Sequence, residues 1–507
     1  MIIRILSVAA LMLAMTVNAY SDNVPRAIIA KVGTSVKATD GSLTITHSGK
    51  KQNYSAAQSM AQYRDTAILS PKSANIHPNG KKYYVNSLEG CKTVVYDLAT
   101  HKRLKVINHT FGDKDSALWA PQSPLFRFTH YTNRDVRRFS GKPVESEFSH
   151  GGRYLWVPYY RRTFDINAQD PSAIAVIDTE SDRIIRLFDT GPLPKMITRS
   201  NDGRTMAVTH WGNNTVGLIN IAPKDPKQWK YEACIPAPNE LKLNFSLSHQ
   251  INRDANSGLL LRGTVFTPDD KYLLVGEMGG GGIGVIDPKN KTYLGRLTGC
   301  SAPRHLVIRN GYLYLSSSSA GVVQRCALDS IVAAIGRLNN GRSVQVRGWE
   351  TCRVGGGART LELSPSGRFA FVACNSASRL CAVNTENMKM IAEIPCDSYP
   401  VGLAISADGK QVIVTSQARG AGGNAVNIYQ VDYTEPEPVL KAPVEKAIEK
   451  EDSTAEMSGL RYLPNSKEQP TEFNTPMLIF SAAVLAILLV VWLFRRNKNK
   501  KTADNGL

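Results

Sequence analysis

No CxxC, CxxCH or HExxH occurs in the 507 residues, so a zinc ribbon, a c-type haem and a zincin each lack their usual signature. Long helical periodicity is absent from the whole central part of the chain, and the nine histidines are scattered. Gly279–Gly284 formally satisfies GxGxxG, but the strand-like VIDP follows it. With no helix N-terminus to receive a pyrophosphate, this segment reads as a loop. Acidic residues are also scarce, at 43 against 61 Lys and Arg, which leaves a net charge of +18. Residues 20–431 carry 50 of the bases against 32 of the acids. That bias favours anionic partners: a membrane surface, nucleic acid, an anionic glycan or small carboxylated or phosphorylated ligands.

Only the two ends of the chain carry continuous apolar runs. Residues 1–19 have Arg4, the stretch ILSVAALMLAMTV and a small-residue site at Val17-Asn18-Ala19, the layout of a secretory signal. Residues 477–494 are 18 consecutive residues without a charge, and RRNKNKK follows at once. A run of this length spans a hydrocarbon core, and the basic flank stays in the cytoplasm. The expected layout is a signal peptide (1–19), an N-terminal segment (20–64), an exported body (65–431) and a tether (432–475). A single transmembrane helix (476–494) and a basic cytoplasmic tail (495–507) complete it. The body would lie in the periplasm or at the cell surface. The tether is rich in Glu, Lys, Pro and Ser and reads as extended or disordered. Leu463-Pro464-Asn465-Ser466 partly resembles a cell-wall sorting signal, but Ser466 and Lys467 replace the expected Thr and Gly, so a plain anchor is preferred.

All eight cysteines lie in the exported body, where disulfides persist. Cys374 and Cys381 flank a loop between two strand-like runs and are the candidate disulfide. Cys300, Cys352 and Cys396 fall in segments read as loops before an inner strand.

What is abundant is one recurring phrase: a Gly or Asp turn, a run ending in Asn or Ser, a loop, and a second run. It reads NGKKYYVNS with TVVYDL, DGRTMAVTH with TVGLINI, DDKYLLVGE with IGVIDP, SGRFAFVACN with RLCAVNT, and DGKQVIVTSQ with AVNIYQV. Weaker copies start at Phe148 and His305. Each copy has the two-residue period of strands joined by tight turns. Seven such units bury their faces by packing radially, so the fold class is all-β, a seven-bladed β-propeller. YYVNS with VVYDL, MAVTH with VGLIN, and VIVTS with VNIYQ resemble the YVTN-type seven-bladed β-propellers over about residues 65–431. The resemblance implies the fold and the mouth of one face as the usual binding place, and little about activity. A strand within residues 26–47, SLTITHS being the candidate, is expected to close the last blade.

The phrase also serves as a ruler. Counting eight residues back from each turn Gly or Asp reaches Lys72, Lys195, Arg262 and Arg359, and seven back in the fifth blade reaches Arg304. The other two blades have Val144 and Val401. Five of seven equivalent positions are therefore cationic, at the start of the innermost strand, where they would face the axis. Either acids of neighbouring blades pair with them, or the mouth receives an anion. Arg161 and Arg162 beside Tyr159 and Tyr160, and His210 with Trp211, are expected to add to the mouth, with Arg379 and Arg419. The insertion 108–147 is expected there too, with Trp119, Phe126, Phe128, His130, Tyr131, Arg134, Arg137 and Arg138 offering stacking surfaces.

Two enzyme-like alternatives are weighed. Pro303-Arg304-His305 resembles a segment of the seven-bladed lactonase family, with Glu277 as the acidic partner, which implies hydrolysis of a sugar-acid lactone. A haem d1-type propeller would use His210, His249 or His305. The reading preferred is a membrane-anchored, non-catalytic binder of an anionic glycan, polymer or envelope protein. Nucleic acid is less favoured as a partner, and no cofactor or metal is expected.

Overall fold

The computed structural model describes residues 28–53, 58–241, 251–339, 341–417 and 424–440. These form seven separate sheets of four or more strands, antiparallel except that Ser343–Gln345 adds to the edge of blade 4 in parallel. Blade 1 is Pro71–Ile76, Lys82–Ser87, Lys92–Asp97 and Arg103–Asn108, named strands A to D from the axis outward. Strand A of the remaining blades is Glu147–Ser149, Pro194–Arg199, Leu261–Phe266, His305–Arg309, Ala358–Leu363 and Pro400–Ile405. In blade 7 the outermost place is taken from the other end of the chain. Leu43–Gln52, which contains most of SLTITHS, pairs along Ala425–Tyr433, and Ser35–Lys37 adds a fifth strand. Joining the termini within one blade leaves the ring no open seam.

The core is divided among the blade interfaces. One apolar cluster fills each, such as Phe371, Leu380, Leu403 and Val414 between blades 6 and 7. Tyr84, Val95, Leu155 and Val157 fill the interface of blades 1 and 2. This arrangement buries the middle strands on both faces. Ser172–Asp178 and Phe369–Cys374 are buried at every position, instead of alternating as the sequence pattern suggests. The inner strands approach closely: a Cβ on Gly263 of blade 4 would stand 2.7 Å from the Cα of His305 in blade 5.

Three expectations are corrected. The first part of the 432–475 tether belongs to the folded body. Tyr433 ends a strand, Arg368 pairs with Glu435 and Glu437, and Leu440 N–H donates to Ala407 O. Cys374 and Cys381 are free thiols with their Sγ atoms 3.6 Å apart. The register sets Cys374 opposite Arg379 and Cys381 opposite Val372, so the two are diagonal rather than directly opposed. Cys352 lies in the strand Glu350–Arg353, not in a loop.

The chain divides after Ala447. Residues 1–19, most of the tether, the 476–494 run and the 495–507 tail lie outside the described residues, as do His249 and Arg419. Among the described residues no helix is long and apolar enough to cross a membrane.

Candidate functional site: the axial mouth and tunnel

The cation position is built by a repeated backbone device. In blades 1, 3, 4, 6 and 7 the residue two places earlier has positive φ: Ser70, Leu193, Leu260, Gly357 and Tyr399. The A–B register then slips at Lys72, Lys195, Arg262, Arg359 and Val401. A bulge re-aims the side chain it carries and leaves one residue out of the ladder. The freed carbonyls are taken up by other groups. Thr209 Oγ1 donates to Arg262 O at 3.2 Å, Ser316 Oγ to Arg359 O, and Thr360 Oγ1 to Val401 O at 2.6 Å. In blade 2, Asn86 Nδ2 donates to Val144 O at 2.6 Å. Each donor sits on the preceding blade, so at four of the blade junctions one blade fixes the backbone of the next at this level.

The side chains meet around a carboxylate that the sequence ruler passed over. Glu145, one residue beyond Val144, stands 2.7 Å from Arg262 and 3.3 Å from Lys72. Burial alone would raise its pKa, but Arg262 and then Lys72 hold it down at about 2. The same cluster lowers its own bases. Lys72 is pulled well below the ordinary lysine range by burial, and the charges of Arg262, Arg359 and Arg304 add to this against Glu145. Arg304 is lowered by burial and then by Arg359 and Arg262, and its guanidinium donates to Met278 Sδ at 3.4 Å. Lys195 stands at one side, with its Nζ 4.1 Å from the centre of the Tyr160 ring and 4.7 Å from that of Trp211. It pairs with Asp254 at 3.1 Å, and burial brings its pKa down to about 7. Among the described residues the mouth thus gathers the five cations of the repeat position with two carboxylates, Glu145 and Asp254.

Beneath the mouth runs a tunnel of about 230 Å³, lined by strand A residues of all seven blades and by Glu145. His305 lines it and accepts a hydrogen bond from Leu361 N–H through Nδ1 at 3.4 Å. Burial depresses its pKa to about 4, so the ring is neutral at pH 7. Glu147 and Glu362, three residues inward from Val144 and Arg359, line the tunnel as well. Burial lifts Glu147 to about 7 against the pull of Arg199. Burial and then the charge of Glu147 lift Glu362 to about 8 against Arg309. A carboxyl whose pKa is higher folded than unfolded weakens the fold as pH rises from about 4.5 through its folded value. The Glu362→Gln variant is therefore expected to lose less stability than the wild type between pH 5 and 8.5. Parallel denaturant curves across that range check this, and identical slopes would refute it.

Several sequence candidates serve the fold instead. Arg162 is 1% exposed. It pairs with Asp189 at 2.6 Å and lies against Phe139, Phe128 and Trp119. Its neighbour Arg161 is different: it lies over the ring of Tyr160, donates to Ile166 O and acts on Asp254, at the Lys195 side of the mouth. His210 is fully buried between Thr190 and Thr215, each at 2.8 Å, with its pKa lowered to about 3 by burial. This places it inside blade 3, away from the axis. Trp211 alone of that pair reaches the mouth. Tyr159 is buried against His109 at 2.8 Å, and Arg379 pairs with Glu393 at the blade 6 edge. The insertion is packing material: Trp119 bridges to Leu187, and Phe126 meets Tyr231 ring to ring. The lactonase-like set is not assembled. Glu277 has a fully buried side chain taken up by Arg296 and by Tyr293, the latter at 2.9 Å. The acid that acts on Arg304 and His305 is Glu145. Among the described residues no group of three or more His, Cys, Asp or Glu is placed to hold a metal ion.

The class defined is a seven-bladed β-propeller whose axis carries a cationic mouth above an acidic tunnel. No protein-family profile matches the chain, and no curated protein does. Among solved structures it is similar to the hydrazine synthase of Kuenenia stuttgartiensis (14% identity, TM-score 0.49), covering 76% of this chain and 100% of that one. It is similar to the Cps50 (Swd1) β-propeller domain of Myceliophteria thermophila (11%, 0.49), with 72% and 97% covered. A protein of unknown function from Desulfotomaculum acetoxidans gives 12% and 0.46, with 66% and 89% covered. At such identities and scores these likenesses say nothing about a ligand, and the fold rests on the sheets themselves.

Proposed function

We propose that this chain is a YVTN-type propeller, anchored to a membrane and exported, that binds an anionic ligand at its axial mouth without transforming it. The anion would be a carboxylated or phosphorylated group of a glycan, polymer or protein. One observation carries the reading: Arg304, 9% exposed, stands among Arg262, Arg359 and Lys72, while Glu145 already bridges Lys72 and Arg262. Concentrated positive charge in a partly dehydrated mouth costs stability, and a bound anion offsets that cost. A non-catalytic role is favoured because Glu145 is held at about 2, too weak a base for proton abstraction near neutral pH.

The test is equilibrium binding of inorganic phosphate, gluconate and a sulfated glycan to the full chain, over a range of salt. Arg304→Ala and Arg359→Ala are each expected to weaken at least one of these by about 10-fold or more, the worth of a charge-assisted hydrogen bond. Affinity should fall as salt rises. Affinities that ignore both variants would remove the mouth as the site. Hydrolysis of a sugar lactone, lost in Arg304→Ala and His305→Ala, would replace binding by catalysis.

A further inference from the structure

The tunnel narrows the chemistry of the ligand. Resting on the anion-binding mouth proposed above, we propose that the occupant is a linear zwitterion. Its acidic end sits among Lys72, Arg262, Arg304 and Arg359, and its amine points inward to Glu147 and Glu362.

The geometry carries this in three parts. First, opposite charges are stacked along one axis. Arg262 and Lys72 reach the level of Glu145, one residue inward from the ring position. Glu147, two residues further along the chain, opens strand A of blade 2, and Glu362 stands at the equivalent depth in blade 6. At about 3.3 Å per residue the two charged levels are roughly 7 Å apart. Second, Met196 lines the tunnel at the depth of Glu145, and Val265 and Val307 line it at the depth of Glu147 and Glu362. Apolar side chains thus flank both charged levels, which suits a methylene spacer rather than a second charge. Third, the tunnel holds polar groups that lack partners. Thr264, 3% exposed, lines it and its Oγ1 has no hydrogen-bond partner; Glu145 Oε2 likewise has none. Two carboxylates facing one small cavity repel each other, and a shared ammonium relieves that repulsion while donating hydrogen bonds to both. Burial lifts both carboxyls, and the charge of Glu147 lifts Glu362 further, each against the pull of one arginine, Arg199 and Arg309 respectively.

The experiment is calorimetric titration of the full chain at pH 7.5 and low salt with four probes: 6-aminohexanoate, hexanoate, 1,6-diaminohexane and glycine. The extended 6-aminohexanoate places its charges at about the required separation. It is expected to bind at least 10-fold tighter than hexanoate and than glycine. In Glu147→Gln with Glu362→Gln its affinity should fall to that of hexanoate, and in Arg304→Ala it should fall as well. Equal binding of hexanoate and 6-aminohexanoate by the wild type overturns the zwitterion and leaves the anion mouth standing. Diamine binding as tight as that of 6-aminohexanoate and indifferent to Arg304→Ala overturns it too, as a cation site without the ring. If neither acid binds, the zwitterion is refuted, and the phosphate and gluconate titrations then decide the mouth separately. The comparison of probes on the wild-type chain decides the outcome even if the double variant does not fold; Glu147→Gln alone is the second variant.

Discussion

Replacing Glu145 by Gln is expected to destabilise the propeller by about 3 kcal/mol at pH 7 and to make the loss recoverable with phosphate. The carboxyl is held at about 2 in the folded chain against an ordinary 4.5, and each unit of such a difference is worth about 1.4 kcal/mol. Its folded pKa is depressed, so this stability is present above about pH 4.5 and is lost as pH falls toward 2. The side chain is only 14% exposed, so little solvent screening discounts the figure. Without it Lys72, Arg262, Arg304 and Arg359 face one another with no acid between them. An added anion should then occupy the vacated position, so Glu145→Gln should bind phosphate more tightly than the wild type. Thermal denaturation with and without phosphate, beside phosphate titration of both proteins, checks both halves. A variant as stable as the wild type, or one that phosphate does not rescue, would show that Glu145 does not balance the mouth.

Breaking the pair Lys50–Asp397 is expected to cost about as much, roughly 3–5 kcal/mol, because the remaining charge is left buried. The pair is 2.7 Å apart with neither side chain exposed. Asp397 Oδ1 also accepts from Ala30 N–H at 2.9 Å, and Lys50 Nζ donates to Ala30 O at 2.7 Å. These contacts tie the chain before the first strand to the closing strand Leu43–Gln52 and to the loop between blades 6 and 7. Loss of the pair should therefore loosen the seam of the ring. Asp397→Ala should shift the urea midpoint strongly, whereas the double change Lys50→Met with Asp397→Leu should recover much of the loss. A single variant with an unchanged midpoint would refute the assignment.

The sequence carried the blades because each is a local object. A Gly or Asp turn joining two apolar runs needs only neighbours in the chain, so YYVNS, MAVTH and VIVTS mark strand B of blades 1, 3 and 7 directly. The same ruler placed Lys72, Lys195, Arg262 and Arg359 at the second residue of strand A, and Arg304 just before it. Read one and three residues further inward, it would also have found Glu145, Glu147 and Glu362. Residue type at the end of strand B misled by comparison. Arg162 and His210 resemble site residues in the sequence, yet Asp189, Thr190 and Thr215 absorb them inside their blades.

By itself, then, the sequence determined the repeat, its strand order and which positions recur, because turn chemistry and strand periodicity act over a few residues. Only the tertiary structure decided which recurring charges share a space. Lys72 and Arg359 lie far apart in the chain and are brought together by closure of the ring. A buried charge is governed by its distance to other charges, and that distance exists only once the seven blades close.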